Sequence, residues 1–317
     1  ISPPRSELTD DQTGTHEGVI GASVPVTDTV WYTNLNIGES YQIRGYIVDR
    51  DAPSVVYATQ TVDFVPTTRD GTVDVNFMVD TSMVCEGNRE AYLFCIEEIW
   101  QLDTQNTGRG EVRLAYENDL RNQDQQIHLV PECHTTMNDV VTQSHYGMIG
   151  TDVVLEYTVA YFNLHIGESY TVTGVLMDKQ TGLPVMQNGQ PVTSQTTFVA
   201  PTQDGTVVVT YHVDTLALIQ QIGQTVNGIT ISAPREVVSF EKITSTSNYD
   251  FAIHSDINDE GQTIIIGDIT SHAGDLQTST SWLASGLTTV RDTVHYRGLG
   301  PVEYTLRGSL HLVDYDY

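Results

Sequence analysis

The chain has 317 residues and a formal net charge of −27, from 41 acidic against 14 basic side chains. That length suffices for about two domains of the usual 100 to 200 residues, each with its own core. The acid excess excludes nucleic acid as a partner, because phosphate-backbone binding needs Lys and Arg to displace counterions. No apolar run approaches the roughly 18 residues of a membrane helix, and the opening residues lack a leader pattern, so we expect a mature or excised fragment without membrane insertion.

Short alternating segments begin early in the chain. The stretches YQIRGYIVD (41–49) and GTVDVNFMV (71–79) alternate apolar or β-branched residues with polar ones, and turn sequences such as IGES and RDG bound them. This alternation predicts half-buried β-strands. Only the stretches 82–94 and 214–224 are compatible with a helical turn.

The three cysteines are Cys85, Cys95 and Cys133. They are too few and too widely spaced for a zinc site, which needs four ligands at tight spacing. Cys85 and Cys95 flank a predicted hairpin, so they either form a disulfide in an oxidising compartment or remain two buried thiols.

The chain repeats itself. The segment WYTNLNIGESYQIRGYIVD (31–49) returns as AYFNLHIGESYTVTGVLMD (160–178), and FVPTTRDGTVDVNFMVDT (64–81) returns as FVAPTQDGTVVVTYHVDT (198–215). A weaker third copy occupies 294–312. The copies are offset by about 130 residues, and a unit of that length fits a whole domain rather than a solenoid repeat.

These patterns predict an all-β chain of tandem immunoglobulin-like antiparallel β-sandwiches. We place the first repeat at 1–130, the second repeat at 131–267 and the first strands of an incomplete third repeat at 268–317. The third repeat cannot close a sandwich by itself. Its strands therefore either belong to a repeat that continues beyond this fragment or complete the sheet of a neighbouring subunit by strand donation.

Several fragments in order resemble one known family. The series TVxYxNLxxGxxYxxxG, GTVxVxxxVD, VVSFE (237–241) and HSDINDEGQT (254–263) resembles the VaFE-type repeat domains of Gram-positive surface adhesins and pili. The resemblance implies an intramolecular ester bond, in which a threonine hydroxyl near the start of the first strand attacks a glutamine side-chain amide on the last strand and releases ammonia.

For the second repeat, the resemblance implies that Thr135 is the nucleophile, with Thr136 one residue away, and that Gln262 is the acceptor. It also implies that Glu241 and His254 manage the protons. Tyr157 stands at the family's acidic position, where the first repeat has Asp28. Either Glu156 or Asp152 is expected to substitute for that acid.

The first repeat departs further from the family pattern. The resemblance aligns Ser6 with the nucleophile, Gln125 with the acceptor, and Glu97 and Asp28 with the acidic positions. Glu117 lies where the second repeat has its histidine. A serine is chemically adequate as the nucleophile, whereas a glutamate in place of histidine changes the expected pH behaviour.

Other chemistries are less favoured by the sequence. A lysine–asparagine isopeptide bond requires a lysine, and the chain has only Lys179 and Lys242, both outside the first repeat. We expect no cofactor. Acidic clusters at 256–260 and 49–51 could hold calcium, although neither has the spacing of an EF-hand loop.

The chain also lacks the sequence motifs of common enzymes. We therefore expect no enzyme beyond single-turnover self-cross-linking, and a stalk segment of an adhesin or pilus-like filament at the surface of a Gram-positive bacterium. Its expected partners are neighbouring repeats or subunits of the same filament. The alternative is an extracellular glycan- or protein-binding module without cross-links.

Overall fold

A computed structural model describes residues 5–103, 110–299 and 303–311. Nearly all regular structure in these residues is β-strand, and the sheets are antiparallel apart from one short parallel pair. The expected all-β, tandem immunoglobulin-like sandwich architecture is therefore confirmed. No helix among the described residues is long and apolar enough to cross a membrane.

In the first repeat, strands form two facing sheets. The strands and short helices are β1 (Arg5–Asp10), β2 (Val24–Tyr32), β3 (Tyr41–Asp49), β4 (Ala52–Phe64), β5 (Gly71–Val79), α1 (Thr81–Val84), β6 (Ala91–Gln101), β7 (Val112–Glu117), the 3₁₀ turn η1 (Gln123–Gln125) and β8 (Gln126–Leu129). One sheet has the order β1-β2-β5. The other has the order β4-β3-β6-β7, with β8 also paired to β6.

The second repeat has the same plan with extra short hairpins. Its elements are β9 (Cys133–Asp139), β10 (Tyr146–Gly147), β11 (Val153–Tyr161), β12 (Ser169–Asp178), β13 (Leu183–Pro184), β14 (Met186–Gln187), β15 (Gln190–Pro191), β16 (Thr193–Val199), β17 (Gly205–Val213), α2 (Thr215–Gln220), β18 (Thr225–Val226), β19 (Ile229–Thr230), β20 (Arg235–Ser245), β21 (Asp250–His254) and β22 (Thr263–Ile266). The sheet β17-β11-β9 faces the larger sheet, in which β12, β16, β20, β21 and β22 lie.

Alternation along the strands builds the core between the two sheets. In β2 and β11 every second residue is buried, as expected when one face of a strand meets the opposite sheet and the other faces solvent. Because β9 is also buried at every second position, any polar residue on its inward face lies in the same apolar layer.

The third repeat contributes a two-stranded hairpin, β23 (Ile269–Asp275) and β24 (Val290–Tyr296). Several of its large apolar side chains are exposed, Leu287 completely. The backbone N–H of Ile149 in the second repeat donates to the carbonyl of Gly298 at 3.2 Å, which ties this hairpin to the preceding repeat.

A similar joint links the first two repeats. The Ile20 N–H donates to the Asn163 carbonyl at 2.6 Å, and the Tyr170 hydroxyl donates to the Ile20 carbonyl at 2.6 Å. The Glu168 carboxylate accepts from the Ala22 N–H at 2.6 Å. Buried hydrogen bonds of this kind fix the direction in which one repeat follows the other.

The helical turns and the cysteines differ in part from expectation. Both stretches that were compatible with a helical turn contain one, α1 and α2, each capped by an aspartate. The predicted hairpin between Cys85 and Cys95 was wrong, because α1 and a turn precede β6 there. Both cysteines, and Cys133, are buried free thiols.

Candidate functional site

In the second repeat, four strands bring the predicted residues to one buried point. Thr135 lies on the inward face of β9, and Glu241 lies on the inward face of β20. His254 ends β21 and pairs in register with Glu241. Gln262 immediately precedes β22 and is fully buried. The structure therefore brings Thr135, Glu241, His254 and Gln262 together between the two sheets.

One carboxylate oxygen connects the hydroxyl and the amide. The Gln262 amide nitrogen donates to Glu241 Oε2 at 2.7 Å, and the Thr135 hydroxyl donates to the same oxygen at 3.2 Å. A hydroxyl and a carboxamide that share one acceptor lie within reach of each other. The nucleophile and the electrophile of the expected reaction are thus adjacent, although they are far apart along the chain.

His254 contacts the Gln262 amide nitrogen. Its Nδ1 lies 2.8 Å from the Gln262 amide nitrogen, and its Nε2 lies 3.2 Å from Asp259 Oδ2. Because the amide nitrogen can only donate, Nδ1 is the acceptor and Nε2 carries the hydrogen that faces Asp259. The carboxylate of Asp259 favours this tautomer, as a third group does for the base in catalytic triads.

Burial prepares Glu241 to exchange a proton near neutral pH. Burial raises the pKa of Glu241 to about 7, against the lowering effect of the Ser239 and Thr135 hydroxyls and the Gln262 amide. Two buried oxygens of the site, Glu241 Oε1 and Gln262 Oε1, have no hydrogen-bond partner among the described residues. Negative charge develops on the Gln262 side-chain oxygen when its carbonyl carbon is attacked. That oxygen is one of the two without a donor among the described residues.

The acid expected in place of Asp28 is absent from the second site. Tyr157 is buried there, whereas Glu156 alternates to the other face of β11. Asp152 is exposed and contacts His212 at 2.9 Å. The expectation that Glu156 or Asp152 substitutes for the acid was therefore wrong, because neither side chain points into the core.

The first repeat brings together a related but different set. The Gln125 amide nitrogen donates to Asp28 Oδ1 at 3.0 Å, and the Cys95 thiol donates to Asp28 Oδ2 at 3.4 Å. Ser6 and Glu97 are buried beside them, and Ser6 Oγ and both Glu97 carboxyl oxygens lack hydrogen-bond partners among the described residues. In this repeat the Gln125 amide therefore donates to the aspartate, Asp28, rather than to the glutamate, Glu97.

Proton affinity also differs in the first site. Burial, together with the neighbouring Asp28 carboxyl, raises the pKa of Glu97 to about 11, so Glu97 holds a proton at neutral pH. Asp28 accepts hydrogen bonds from the Gln125 amide and the Cys95 thiol. Glu117 pairs in register with Glu97, as His254 does with Glu241, and its carboxylate accepts from the Asp119 N–H at 2.7 Å.

A third copy of the nucleophile position was missed from the sequence. Asp10, Asp139 and Asp275 each accept backbone N–H groups from the turn that follows them. Four residues earlier stand Ser6, Thr135 and Ser271 in the three hairpins. Asp292 faces Ala273 in the same register in which Asp28 faces Leu8. Aligning the aspartate turns that recur in the three repeats, rather than the strands, could have found these positions.

The remaining predicted groups lie elsewhere or already have protein partners. Lys242 pairs with Asp250 at 2.6 Å, and Lys179 lies near Glu236 and Thr263. Asp49 is paired with Arg89. Among the described residues, Asp28, Cys95 and Glu97 have ligand-type atoms within 4.8 Å of one another, but these three already belong to the first candidate site.

Comparison with known proteins gives one family. The family described as "T-Q ester bond containing domain" matches residues 5–129, 131–266 and 267–316. No curated protein matches the sequence. Among solved structures, an adhesin of Mobiluncus mulieris described as containing intramolecular disulfide, isopeptide and ester bond cross-links shares 12% identity over 93% of both chains, with a TM-score of 0.38.

A transglutaminase from red sea bream shares 11% identity over 84% of this chain and 31% of its own, with a TM-score of 0.28. Likenesses this low carry no argument about function. The family match is different in kind, because its three segments together span nearly the whole sequence. The chain therefore belongs to the family of T-Q ester bond containing domains.

Proposed function

We propose that this chain is a stalk segment of a bacterial surface adhesin, in which each complete repeat locks itself with an ester bond between its first and last strands. The observation that carries the proposal is the shared oxygen of Glu241, which accepts from both the Thr135 hydroxyl and the Gln262 amide. The reaction occurs once in each repeat, so the protein modifies itself and turns over no substrate.

In the second repeat the chemistry follows from these contacts. The Glu241 carboxylate takes the proton of the Thr135 hydroxyl as Oγ1 attacks the Gln262 side-chain carbonyl carbon. The carbon–nitrogen bond then breaks, and the nitrogen leaves as ammonia with the proton returned by Glu241. His254 accepts a hydrogen bond from the same nitrogen and so holds it in the position from which it departs.

Folding supplies most of the driving geometry. A primary amide and a threonine hydroxyl react very slowly in water, but fixing them face to face can remove roughly 7 to 11 kcal/mol of the barrier. The site is buried, so water does not compete with the hydroxyl for the amide carbon. No separate enzyme is needed under this proposal.

The first repeat uses the same reaction with a different base. Asp28 is the carboxylate that contacts the Gln125 amide, and protonated Glu97 is the neutral acid beside it. Ser6 is the nucleophile, and its hydroxyl has no other partner among the described residues. Because Ser6 makes no hydrogen bond to the base, this site is less well prepared than that of Thr135.

The position of the bond gives it a mechanical role. Thr135 lies in the sheet of β9, β11 and β17, whereas Gln262 adjoins β22 in the opposite sheet. An ester between them crosses the sandwich and joins the two ends of the repeat. Because survival under pulling force depends on the unfolding rate, a bond there protects nearly the whole repeat from extension.

The setting follows from the family. The VaFE-type repeats that the sequence resembles occur in Gram-positive surface adhesins and pili, so we place this chain outside the cell at a bacterial surface. Its proposed partners are neighbouring repeats or subunits of the same filament, and the joint formed by Ile20 and Tyr170 is an example of such a contact between repeats. The large negative charge suits a solvated surface that resists nonspecific association.

Intact mass spectrometry of the purified chain tests the proposal. Each ester lowers the mass by one ammonia, about 17 daltons. The wild type should show two such losses. Thr135→Ala and Ser6→Ala should each restore one. Thr136→Ala is the matched control, because Thr136 is exposed on the opposite face of β9 and should leave both losses intact. A wild-type mass equal to that of the unmodified sequence would contradict the proposal.

A further inference from the structure

Three buried hydroxyls surround the second site in place of the acid of the first. The Tyr211 hydroxyl and Ser239 Oγ lie 2.6 Å apart. The ring of Tyr157 stacks on that of Tyr211, with centroids 5.0 Å apart. The Tyr157 hydroxyl is buried and has no hydrogen-bond partner among the described residues.

All three hydroxyls belong to the same layer as Glu241. Gly174 pairs in register with Glu241 across β12 and β20. A Cβ at Gly174 would overlap the phenol oxygens of both Tyr157 and Tyr211, so both rings point their hydroxyls at the backbone beside the glutamate. Ser239 lies two residues before Glu241 on the same strand and therefore on the same face.

Strand registers show that the two repeats differ here as a set. The positions of Tyr157, Tyr211 and Ser239 are occupied in the first repeat by Asp28, Phe77 and Cys95. One repeat has a carboxylate, an apolar ring and a thiol, whereas the other has three hydroxyls. Where the second repeat has a tyrosine in place of the carboxyl group, it therefore also has two further differences that make the surroundings more polar.

The second site also contains buried polar atoms without hydrogen-bond partners among the described residues. Glu241 Oε1 is a buried acceptor without a donor, and the Tyr157 hydroxyl is a buried donor without an acceptor, within the part of the chain that the structure describes. Unmatched buried polar groups are costly, and hydroxyl hydrogens rotate freely to find an acceptor. A hydroxyl that turns its hydrogen toward the glutamate stabilises the charged form over the protonated form.

We infer that Tyr157, Tyr211 and Ser239 form a hydroxyl relay that positions Glu241 and stabilises its charged form, taking the place of the aspartate in the first repeat. This inference rests on the proposed ester reaction. The relay transfers no net proton and forms no covalent bond. Its three members are positioning residues, because the groups that touch the reacting atoms remain Glu241 and His254.

The relay predicts a change in pH dependence. In the inferred relay these hydroxyls turn their hydrogens toward Glu241 and favour its charged form, so removing a hydroxyl raises the pKa of Glu241 and moves the rising limb of the cross-linking rate to higher pH. Other titratable groups face Glu241 from the neighbouring elements, and none of them is changed in the variants that are compared with the wild type. They are His254 from β21, Asp259 from the loop before β22 and Cys133 from β9.

The experiment follows cross-link formation in the full chain made by cell-free synthesis. Samples are quenched over time at several pH values, and mass spectrometry of proteolytic fragments measures the Thr135–Gln262 link. Tyr157→Phe and Tyr211→Phe keep the rings and remove the hydroxyls. Tyr161→Phe is the matched control, because Tyr161 is a buried tyrosine on the same strand as Tyr157 and its ring packs against Phe198.

We expect Tyr157→Phe and Tyr211→Phe, which each remove one hydroxyl of the inferred relay, to slow the link by about tenfold at neutral pH and to shift the rate profile upward in pH. Tyr161→Phe should match the wild type. The triple change Tyr157→Asp, Tyr211→Phe and Ser239→Cys should recover cross-linking, because it installs the set found in the first repeat.

The possible outcomes distinguish a failure of the hydroxyl relay from a failure of the ester reaction. If the wild type forms the link and Tyr157→Phe and Tyr211→Phe match Tyr161→Phe at every pH, the relay is refuted while the ester reaction stands. If the wild type forms no link, the proposed function fails first. Slower linking with an unshifted pH profile would also overturn the relay, because it would mean that the rings act only through packing.

Discussion

At the scale of the residue, Glu241 is the proposed base of the second repeat, and its pKa sets the pH range in which we expect the reaction. Its pKa is raised to about 7 by burial, so the fraction of charged base rises steeply between pH 6 and 8. We expect the rate of Thr135–Gln262 cross-linking to rise over this range with a half-maximum near pH 7. Mass spectrometry of cell-free product at each pH measures it, and a rate independent of pH would contradict the role of Glu241.

The same raised pKa affects stability when the ester cannot form. In Thr135→Ala, Glu241 binds its proton more tightly in the folded state than in the unfolded state. Its contribution is therefore complete below about pH 4.5 and is lost as pH rises through about 7, which costs about 3 kcal/mol.

Urea unfolding at several pH values detects this loss as a lower midpoint. The double variant Thr135→Ala, Glu241→Gln has the same unlinked fold and no titrating group at that position. It should lack this part of the pH dependence, and equal slopes for the two variants would contradict the assignment.

Glu97 predicts a slower reaction in the first repeat. With a pKa of about 11, it is protonated at neutral pH, so Asp28 is the carboxyl group left to act as the base beside the Gln125 amide. Ser6 makes no hydrogen bond to that base among the described residues. In wild-type time courses, the Ser6–Gln125 link should therefore appear after the Thr135–Gln262 link, and the reverse order would contradict this account of the two bases.

At the scale of the element, close contact between strands and rings shapes each site. Gly174 lets the tyrosine hydroxyls approach β12, and Gly45 lets Phe77 approach β3 in the first repeat. Gly174→Ala should displace the rings and the paired Glu241, destabilise the repeat by about 1 to 3 kcal/mol and reduce its cross-link.

Thermal unfolding and intact mass measure both effects. Gly150→Ala is the control, because a Cβ there meets only Val153 at 3.4 Å, an ordinary contact. A fully linked and equally stable Gly174→Ala protein would show that the space over β12 is not needed.

The strands could be predicted from the sequence more completely than the side chains that meet between them. Alternation in segments such as 41–49 and 71–79 is a local signal, and the repeated copies doubled it. Thr135 and Gln262 could be proposed because the family pattern names them. Tyr211 and Ser239 could not, because they lie on different strands and meet only through strand register. The turn after α1 was missed because a short apolar stretch has no clear period.

At the scale of the molecule, we expect the ester bond to prevent the second repeat from extending under pulling force. In single-molecule pulling from the two ends, the wild type should resist extension of the second repeat at all forces below covalent rupture. Thr135→Ala should unfold that repeat and lengthen by on the order of 400 Å, because the chain between residues 135 and 262 becomes free to extend. Equal extension of both proteins would contradict the mechanical role.

The central claim is a covalent bond between Thr135 and Gln262, and tandem mass spectrometry of the digested wild-type chain tests it most directly. We expect one branched peptide in which these two residues are joined with loss of ammonia. Alkali should split it into two linear peptides, with glutamate at position 262. Recovery of the two peptides unlinked, with glutamine intact at 262, would contradict it.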